Sequence, residues 1–415
     1  MKRYFDIFMF CLFTGAMGFI GATCIWFLLK AVHIGTDYLW IFIPRSIGFE
    51  DSLAYNLAIC LTGGLIIGIL QDRFGPAPDN LEQVMGRIKT EGRYPYNRLH
   101  IIAIAFLLPL LFGGSVGPEA GLSGLIAGLC CLIGDNLRYK GEKLAALTEA
   151  GIATSLGVIF GAPLFGIVAN LEPDDATEHY KEKLVSKKTR ILIYCFGVAG
   201  GMLSFRLLGR IFDTSIGLPR FYTQQALMLD QWKWFIPLLA IGIAFSLYYR
   251  FIDILTGQLR KKLGDHAIIS SLLAAVCVAL CGHFLPLTMF SGERELSYLI
   301  DEWDFNSPQE MILSALVKLI LVSVCINLGW RGGNIFPLIF CSGLLGFSFA
   351  FLTGMDGSFA VAVVAASLYA YTIRKPVMVI AVLLLCFPVT YIFPIGISAV
   401  VASKIPTPVD RLTRK

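Results

Sequence analysis

Nine consecutive residues, Gly113-Gly114-Ser115-Val116-Gly117-Pro118-Glu119-Ala120-Gly121, have the spacing in this chain that most suggests chemistry. Glycines and a proline interrupt apolar sequence here, with His100–Phe112 on one side and Leu122–Ile133 on the other. Both flanks read as membrane helices, so the interruption falls at membrane depth. Non-helical backbone is tolerated there only when it is buried in protein or lines a water-filled cavity. Pro118 near the start of a new helix leaves that helix's first N–H groups without intrahelical partners, and they carry partial positive charge. Such a cluster inside a membrane is suited to hold an anion.

Gly113 to Gly117 also matches G-x-S-x-G, in which a serine on a sharp turn acts as a nucleophile. Its base would have to be His100 or His283, and nothing in the sequence ties either to Ser115. The strand–turn–helix setting of that motif is missing too. No catalytic residue is assigned, and the chain reads as a transporter rather than an enzyme. No metal site is indicated, because the five histidines are scattered and the eleven cysteines fall almost wholly in apolar runs without a C-x-x-C pair. No cofactor is implied.

The elements that must position this stretch are membrane helices. The chain of 415 residues is 56% hydrophobic and 15% charged, with a mean hydropathy of +0.71. Soluble domains are about 45–50% apolar and about a quarter charged, so this composition belongs to an integral, multi-pass membrane protein. Apolar runs of helical length support helices rather than a β-barrel, whose strands would alternate. Helices are expected at Phe5–Val32, Ser52–Gln71, His100–Phe112, Leu122–Ile133, Leu144–Phe160, Pro163–Leu171, Ile191–Leu208, Trp232–Leu255, Ala267–Phe284, Met311–Leu328, Ile335–Leu352, Phe359–Ile373 and Val377–Ser403. Several are too short to cross about 30 Å of hydrocarbon alone. Short segments broken by Gly and Pro point to re-entrant helices, a transporter or channel trait. Met1-Lys2-Arg3 followed by Phe8–Leu29 resembles a signal sequence, but its apolar core is too long, so it reads as a retained helix.

The charge of +5 sits in a few loops and reports topology rather than nucleic-acid binding. Basic clusters at Lys2–Arg3, Arg73–Arg98, Lys181–Arg190, Arg250–Lys262 and Arg411–Lys415 are cytoplasmic under the positive-inside rule, which puts both termini inside. The acidic stretch Ser291–Pro308 is expected outside. Aromatics such as Phe5, Trp26, Trp40, Trp232 and Trp234 suit interfacial belts, and Arg206 and Arg374 suit helix ends. An internal echo accompanies the topology. Gly113–Gly121 precedes Gly161-Ala162-Pro163-Leu164, much as Arg331-Gly332-Gly333-Asn334-Ile335-Phe336-Pro337 precedes Ile373-Arg374-Lys375-Pro376. The same grammar twice predicts an inverted repeat within one transmembrane domain, with a first half about 1–209, a second half about 210–403 and a short tail 404–415.

These motifs, in this order, resemble those of the CLC family of chloride channels and chloride/proton antiporters, over roughly Ser52 to Ser403. The chain resembles a divergent, short prokaryotic-type member without a cytoplasmic regulatory domain. The family's G-[KR]-E-G-P is met by Gly114-Ser115-Val116-Gly117-Pro118 and its G-x-F-x-P by Gly333-Asn334-Ile335-Phe336-Pro337, with Ile335 at the usual phenylalanine. Its G-S-G-I-P is only faintly matched, by Gly75-Pro76-Ala77-Pro78. The resemblance implies an all-α polytopic fold of broken and re-entrant helices in an inverted repeat, a homodimer with one pore per subunit, and an inner (plasma) membrane setting. It implies a chloride path lined by backbone at Gly75, Ser115, Val116, Gly117, Pro118, Gly333, Asn334, Ile335 and Phe336. Backbone dipoles attract an anion without trapping it as a desolvated Lys or Arg would.

The departures bear on mechanism. The family's gating glutamate corresponds to Val116, which can neither carry a proton nor swing a carboxylate into the path. Glu119, about one helical turn further on, is the candidate substitute, against a plain reading as a helix cap. The serine hydroxyl of the first motif is replaced by Gly75. The central tyrosine has no match among Lys404-Ile405-Pro406, and the inner proton-transfer glutamate falls at Pro173, beside Glu172. Channel-like or weakly proton-coupled chloride conduction is therefore expected. The alternatives are a proton-coupled antiporter for chloride, fluoride or another small anion working through Glu119, and an unrelated secondary transporter.

Overall fold

The computed structural model describes residues 2–91, 93–136, 187–213, 219–221, 229–303 and 307–406. They are helical, in the order α1 (Lys2–Asp37), α2 (Leu53–Phe74), α3 (Leu81–Glu91), α4 (Leu99–Leu111), α5 (Glu119–Asn136), α6 (Lys187–Ile211), α7 (Phe235–Leu263), α8 (Ala267–Phe284), α9 (Glu293–Glu302), α10 (Pro308–Asn327), α11 (Ile335–Thr353), α12 (Gly357–Ile373), α13 (Pro376–Cys386) and α14 (Ile392–Lys404). Shorter turns include a π-helical Tyr38–Phe42 and a helix Ile43–Ile47 directly after α1. Six described helical segments are long and apolar enough to cross a membrane, and further apolar helices are shorter. This is an integral multi-pass membrane protein of all-α, broken-helix architecture.

Local chemistry sets the helix ends. Ser307 caps α10 by accepting a hydrogen bond from the Glu310 N–H, with Pro308 in the first turn, and Asp356 caps α12 through the Ser358 N–H at 2.9 Å. Each cap satisfies a backbone donor that the helix cannot. Gly75 ends α2 at φ +82 and Gly354 ends α11 at φ +67, a region open to glycine.

The chain divides into two compact units. The first comprises Met1–Ile34, Ala77–Leu107 and Glu119–Gly217. In it α1 and α6 touch backbone to backbone: a Cβ on Gly18 would overlap Gly197, and one on Gly200 would overlap Gly15. Small residues allow that approach, which drives helix association in lipid through close packing. Thr23 and Ser204 share a hydrogen bond of 2.8 Å along the same seam. Around α3, Asp79 accepts from the Tyr94 hydroxyl at 3.0 Å and pairs with Arg87. Asp135 takes Arg93 at 2.7 Å and the Tyr96 hydroxyl at 2.9 Å. Burial, then Asp79's charge and hydrogen bond, push the Tyr94 phenol up.

The second unit comprises Gly35–Pro76, Leu108–Pro118 and Leu218–Lys415. Its core is α12, apolar on every side and buried along almost its whole length, as expected of a helix enclosed by others. It packs on α7, α11, α13 and α14. Gly346 meets the Val361 backbone there. The α2–α8 pair is similarly close, with Gly64 against the Ser271 carbonyl and Gly68 against Ile268.

Two departures from the sequence expectations concern short amphipathic helices. Arg73–Arg98 and Ser291–Pro308 read as charged loops, yet they hold α3 and α9. Val84 and Ile88 are buried on α3, and Leu296 and Leu299 on α9, at helical spacing. The third departure is at Val377–Ser403. It reads as one helix but is two, α13 and α14, broken at Phe387 and Pro388 because proline cannot continue a helix interior. The expected helices Leu144–Phe160 and Pro163–Leu171 lie outside the described residues.

Candidate functional site

The two Gly-rich motifs meet. Gly117 N–H donates to the Gly333 carbonyl at 2.7 Å, and Gly333 N–H donates to the Gly117 carbonyl at 2.8 Å. This isolated antiparallel bridge joins equivalent points of two loops, since α5 begins two residues after Gly117 and α11 two residues after Gly333. An antiparallel pair that exchanges both bonds is two-fold symmetric.

The first loop is tightly wound. Gly113 has φ +86, Gly114 N–H reaches the Pro109 carbonyl at 2.7 Å, and Val116 N–H reaches the Gly114 carbonyl at 2.9 Å. Gly114 lies so close to Pro109 and the Trp330 ring that no side chain fits. Val116 is fully buried, and a Cβ on Gly332 would lie 2.5 Å from the Val116 Cβ. Ser115 is fully buried as well, and its Oγ has no hydrogen-bond partner among the described residues. No histidine among the described residues hydrogen-bonds that Oγ. Glu119 is the first residue of α5 and is 1% exposed. A carboxylate in that first turn is favoured by the helix dipole.

The second loop leads into α11. Trp330 N–H bonds the Cys325 carbonyl at 2.8 Å, its indole N–H bonds the Ser271 carbonyl at 3.0 Å, and Gln71 Nε2 holds the Gly329 carbonyl at 2.5 Å. Asn334 occupies the N-cap position, but its side chain does not cap the helix. Its Nδ2 instead donates to the Tyr249 hydroxyl at 3.3 Å. Ile335 and Phe336 are buried in the first turn. Gly75 stands apart in role: it ends α2, its N–H bonds the Gln71 carbonyl at 3.0 Å, and Gln71 links that end to the second loop. Glu172, Pro173 and the Gly161–Gly166 motif lie outside the described residues. Arg374 ends α12 at φ +64, its guanidinium donating to the Ser403 and Ile405 carbonyls at 2.7 and 2.5 Å. The backbone expected to lack the central tyrosine is thus tied by an arginine.

Sequence reasoning missed Lys318. It sits midway along α10, fully buried, with its Nζ among backbone carbonyls. A charge at the centre of a membrane helix costs about 2.5–3.5 kcal/mol on an insertion scale. A lone lysine in the apolar run Met311–Leu328 was the signal that could have found it.

With the geometry in place, the comparisons decide the family. The model of the voltage gated chloride channel family matches residues 63–406, most of the chain. The chain belongs to this family. The Escherichia coli (strain SMS-3-5 / SECEC) protein YfeO, named for ion transport, is 25% identical over 345 residues, covering 80% of this chain and 76% of that protein. The Shigella flexneri YfeO is 25% identical over 347 residues with the same coverage. Among solved structures, a slow cyanobacterial Cl⁻/H⁺ antiporter superposes with a TM-score of 0.79 at 17% identity, covering 99% of this chain and 98% of that one. A CLC-type fluoride/proton antiporter gives 0.73 at 18% identity, covering 98% and 96%. At these identities the structural likeness establishes the fold.

Proposed function

We propose that this CLC-family protein carries chloride or a similarly small anion across the membrane by a channel-like or weakly proton-coupled route, past the loops joined at Gly117 and Gly333. The observation that carries this reading is Val116. At the family's carboxylate position it is fully buried and pressed against Gly332, and an alkyl side chain there can neither bind a proton nor compete with the anion. Asn334 turns its side chain to Tyr249 instead of capping α11, which leaves the helix end to attract negative charge through its dipole. The buried Ser115 hydroxyl adds a donor in the first loop. The anion-lining backbone of this reading is Gly75, Ser115, Val116, Gly117, Pro118, Gly333, Asn334, Ile335 and Phe336. The N–H groups of Gly75, Val116, Gly117 and Gly333 already bond the carbonyls of Gln71, Gly114, Gly333 and Gly117, so these four would act through their dipoles and not by direct donation. A homodimer is the working assembly, with both termini cytoplasmic in the inner membrane.

A second reading is proton-coupled antiport of chloride or fluoride, with Glu119 as the proton carrier. It is favoured by the burial of that carboxylate at the start of α5 and by the antiporters of like fold, one for Cl⁻ and one for fluoride. Purified protein in liposomes, given an outward chloride, nitrate or fluoride gradient with internal pH recorded, separates the two. Anion efflux without uphill proton movement supports the first reading, stoichiometric proton uptake replaces it with the second, and absence of anion flux rejects both.

A further inference from the structure

Lys318 belongs to neither matched motif, yet its side chain is held by four backbone carbonyls. Its Nζ lies 3.3, 3.2, 2.8 and 3.0 Å from the carbonyl oxygens of Leu287, Thr288, Met289 and Phe290. The Phe340 ring of α11 covers it with its centroid 5.0 Å away. These carbonyls close the 3₁₀ turn Pro286–Thr288 and the residues after it. A lysine ammonium offers three donors and no acceptor, so converging carbonyls suit the charged form. A neutral amine would point its lone pair at oxygen atoms.

Two consequences follow from this cage. The first is geometric. Phe290, whose carbonyl is one of the four acceptors of the cage, gives its own N–H to the Gly113 carbonyl at 3.2 Å, and Met289 fills the space beside Gly113. Lys318 therefore fastens the turn on which the first loop is hung. The second is electrostatic. No described carboxylate forms an ion pair with Lys318, and half-buried Glu295 on α9 attracts it from beyond that distance. Carbonyl dipoles solvate the ammonium but carry no net charge, so a positive charge remains in a medium of low dielectric, where its influence reaches further than in water.

We propose that Lys318 is a positioning residue for the anion path: its ammonium locks the Leu287–Phe290 turn onto Gly113 and supplies a fixed positive charge that raises anion occupancy at the Gly113–Pro118 loop. This rests on the transport reading above. The loop itself offers only partial backbone charges, and Lys318 adds a full one without exposing it to the anion, so attraction is gained without a tight trap.

The test is the concentration dependence of chloride flux in liposomes for wild type, Lys318→Gln, Lys318→Arg and Glu295→Gln. Lys318→Gln keeps donors and removes charge, and half-saturating chloride is expected to rise at least about fivefold, with Lys318→Arg restoring it to within about twofold of wild type. Glu295→Gln removes the opposing charge from an amphipathic helix, and half-saturating chloride is expected to fall about twofold. This second variant decides the matter if Lys318→Gln does not yield monodisperse protein. A purely structural tie would lower the maximal rate of Lys318→Gln and leave half-saturation unchanged in both variants, which overturns the proposal. Wild-type liposomes that pass no anion reject the transport reading and this inference together. Wild-type flux with unaltered half-saturation in the variants rejects the inference alone.

Discussion

The loop before α5 and the loop before α11 share a skeleton and differ in charge and packing. Both place a glycine two residues before the helix and bond there to each other. The first loop carries a proline just ahead of α5 and an acid in the first turn, Glu119. The second places Pro337 inside the first turn of α11, with no acid there and an Asn that declines to cap. A carboxylate at a helix N-terminus offsets the partial positive charge that would otherwise draw an anion. The α11 end therefore keeps its full attraction, while the α5 end is partly neutralised. Packing differs in the same direction: the first loop is closed over by Val116, and the second supplies the bare glycine, Gly332, that makes room for it.

The most severe way to break this comparison is to fill that room. Gly332→Leu forces a side chain into Val116 and the bridge, and overpacking of this kind costs about 1–3 kcal/mol. Anion flux in liposomes is expected to fall at least about tenfold in protein that still elutes as a single species, and wild-type flux would remove the bridge from the path. Val116→Glu comes next. Restoring a carboxylate makes flux pH-dependent: it is expected to fall about fivefold or more at neutral pH, where the group is ionised, and to recover toward about pH 4, where carboxyls protonate. A flat pH profile would mean that position 116 does not face the anion. Glu119→Gln makes the α5 end resemble the α11 end. A dipole contribution of about 0.3–1 kcal/mol corresponds to roughly a two- to fivefold lower half-saturating chloride, and loss of flux instead would favour the proton-carrier reading. The smallest effect belongs to Asn334→Ala. Losing a true cap costs about 1 kcal/mol, but this side chain does not cap, so the thermal midpoint in detergent is expected to stay within about 2 °C of wild type. A larger drop would assign Asn334 a structural duty at Tyr249.

Much of this was legible because membrane helices and Gly/Pro breaks leave strong marks. Ala267–Phe284 has the bounds that its apolar run suggests, and both helix starts at the matched motifs follow from Gly-Gly…Pro grammar. The misses have a common cause. Hydropathy averages over a window, so α3 and α9, each rich in charged residues, read as loops although Val84, Ile88, Leu296 and Leu299 repeat at helical spacing. The same averaging hides Lys318 among the apolar residues of α10. Pro388 was visible, and a strict reading of it would have divided Val377–Ser403. The bonding of Gly117 to Gly333 was beyond reach, since backbone hydrogen bonds between distant segments leave no residue-type signal, and glycine marks room without naming what fills it.

The bridge has a mechanical consequence. Two hydrogen bonds closing one ring let neither glycine slide or tilt without stretching both, and the close fit of Gly332 on Val116 removes the slack beside them. The two loops thus behave as a single linkage. A displacement of Gly113–Pro118 must be taken up at Arg331–Asn334 in the same stroke, so if the proposed anion path runs past these loops, its two sides move together.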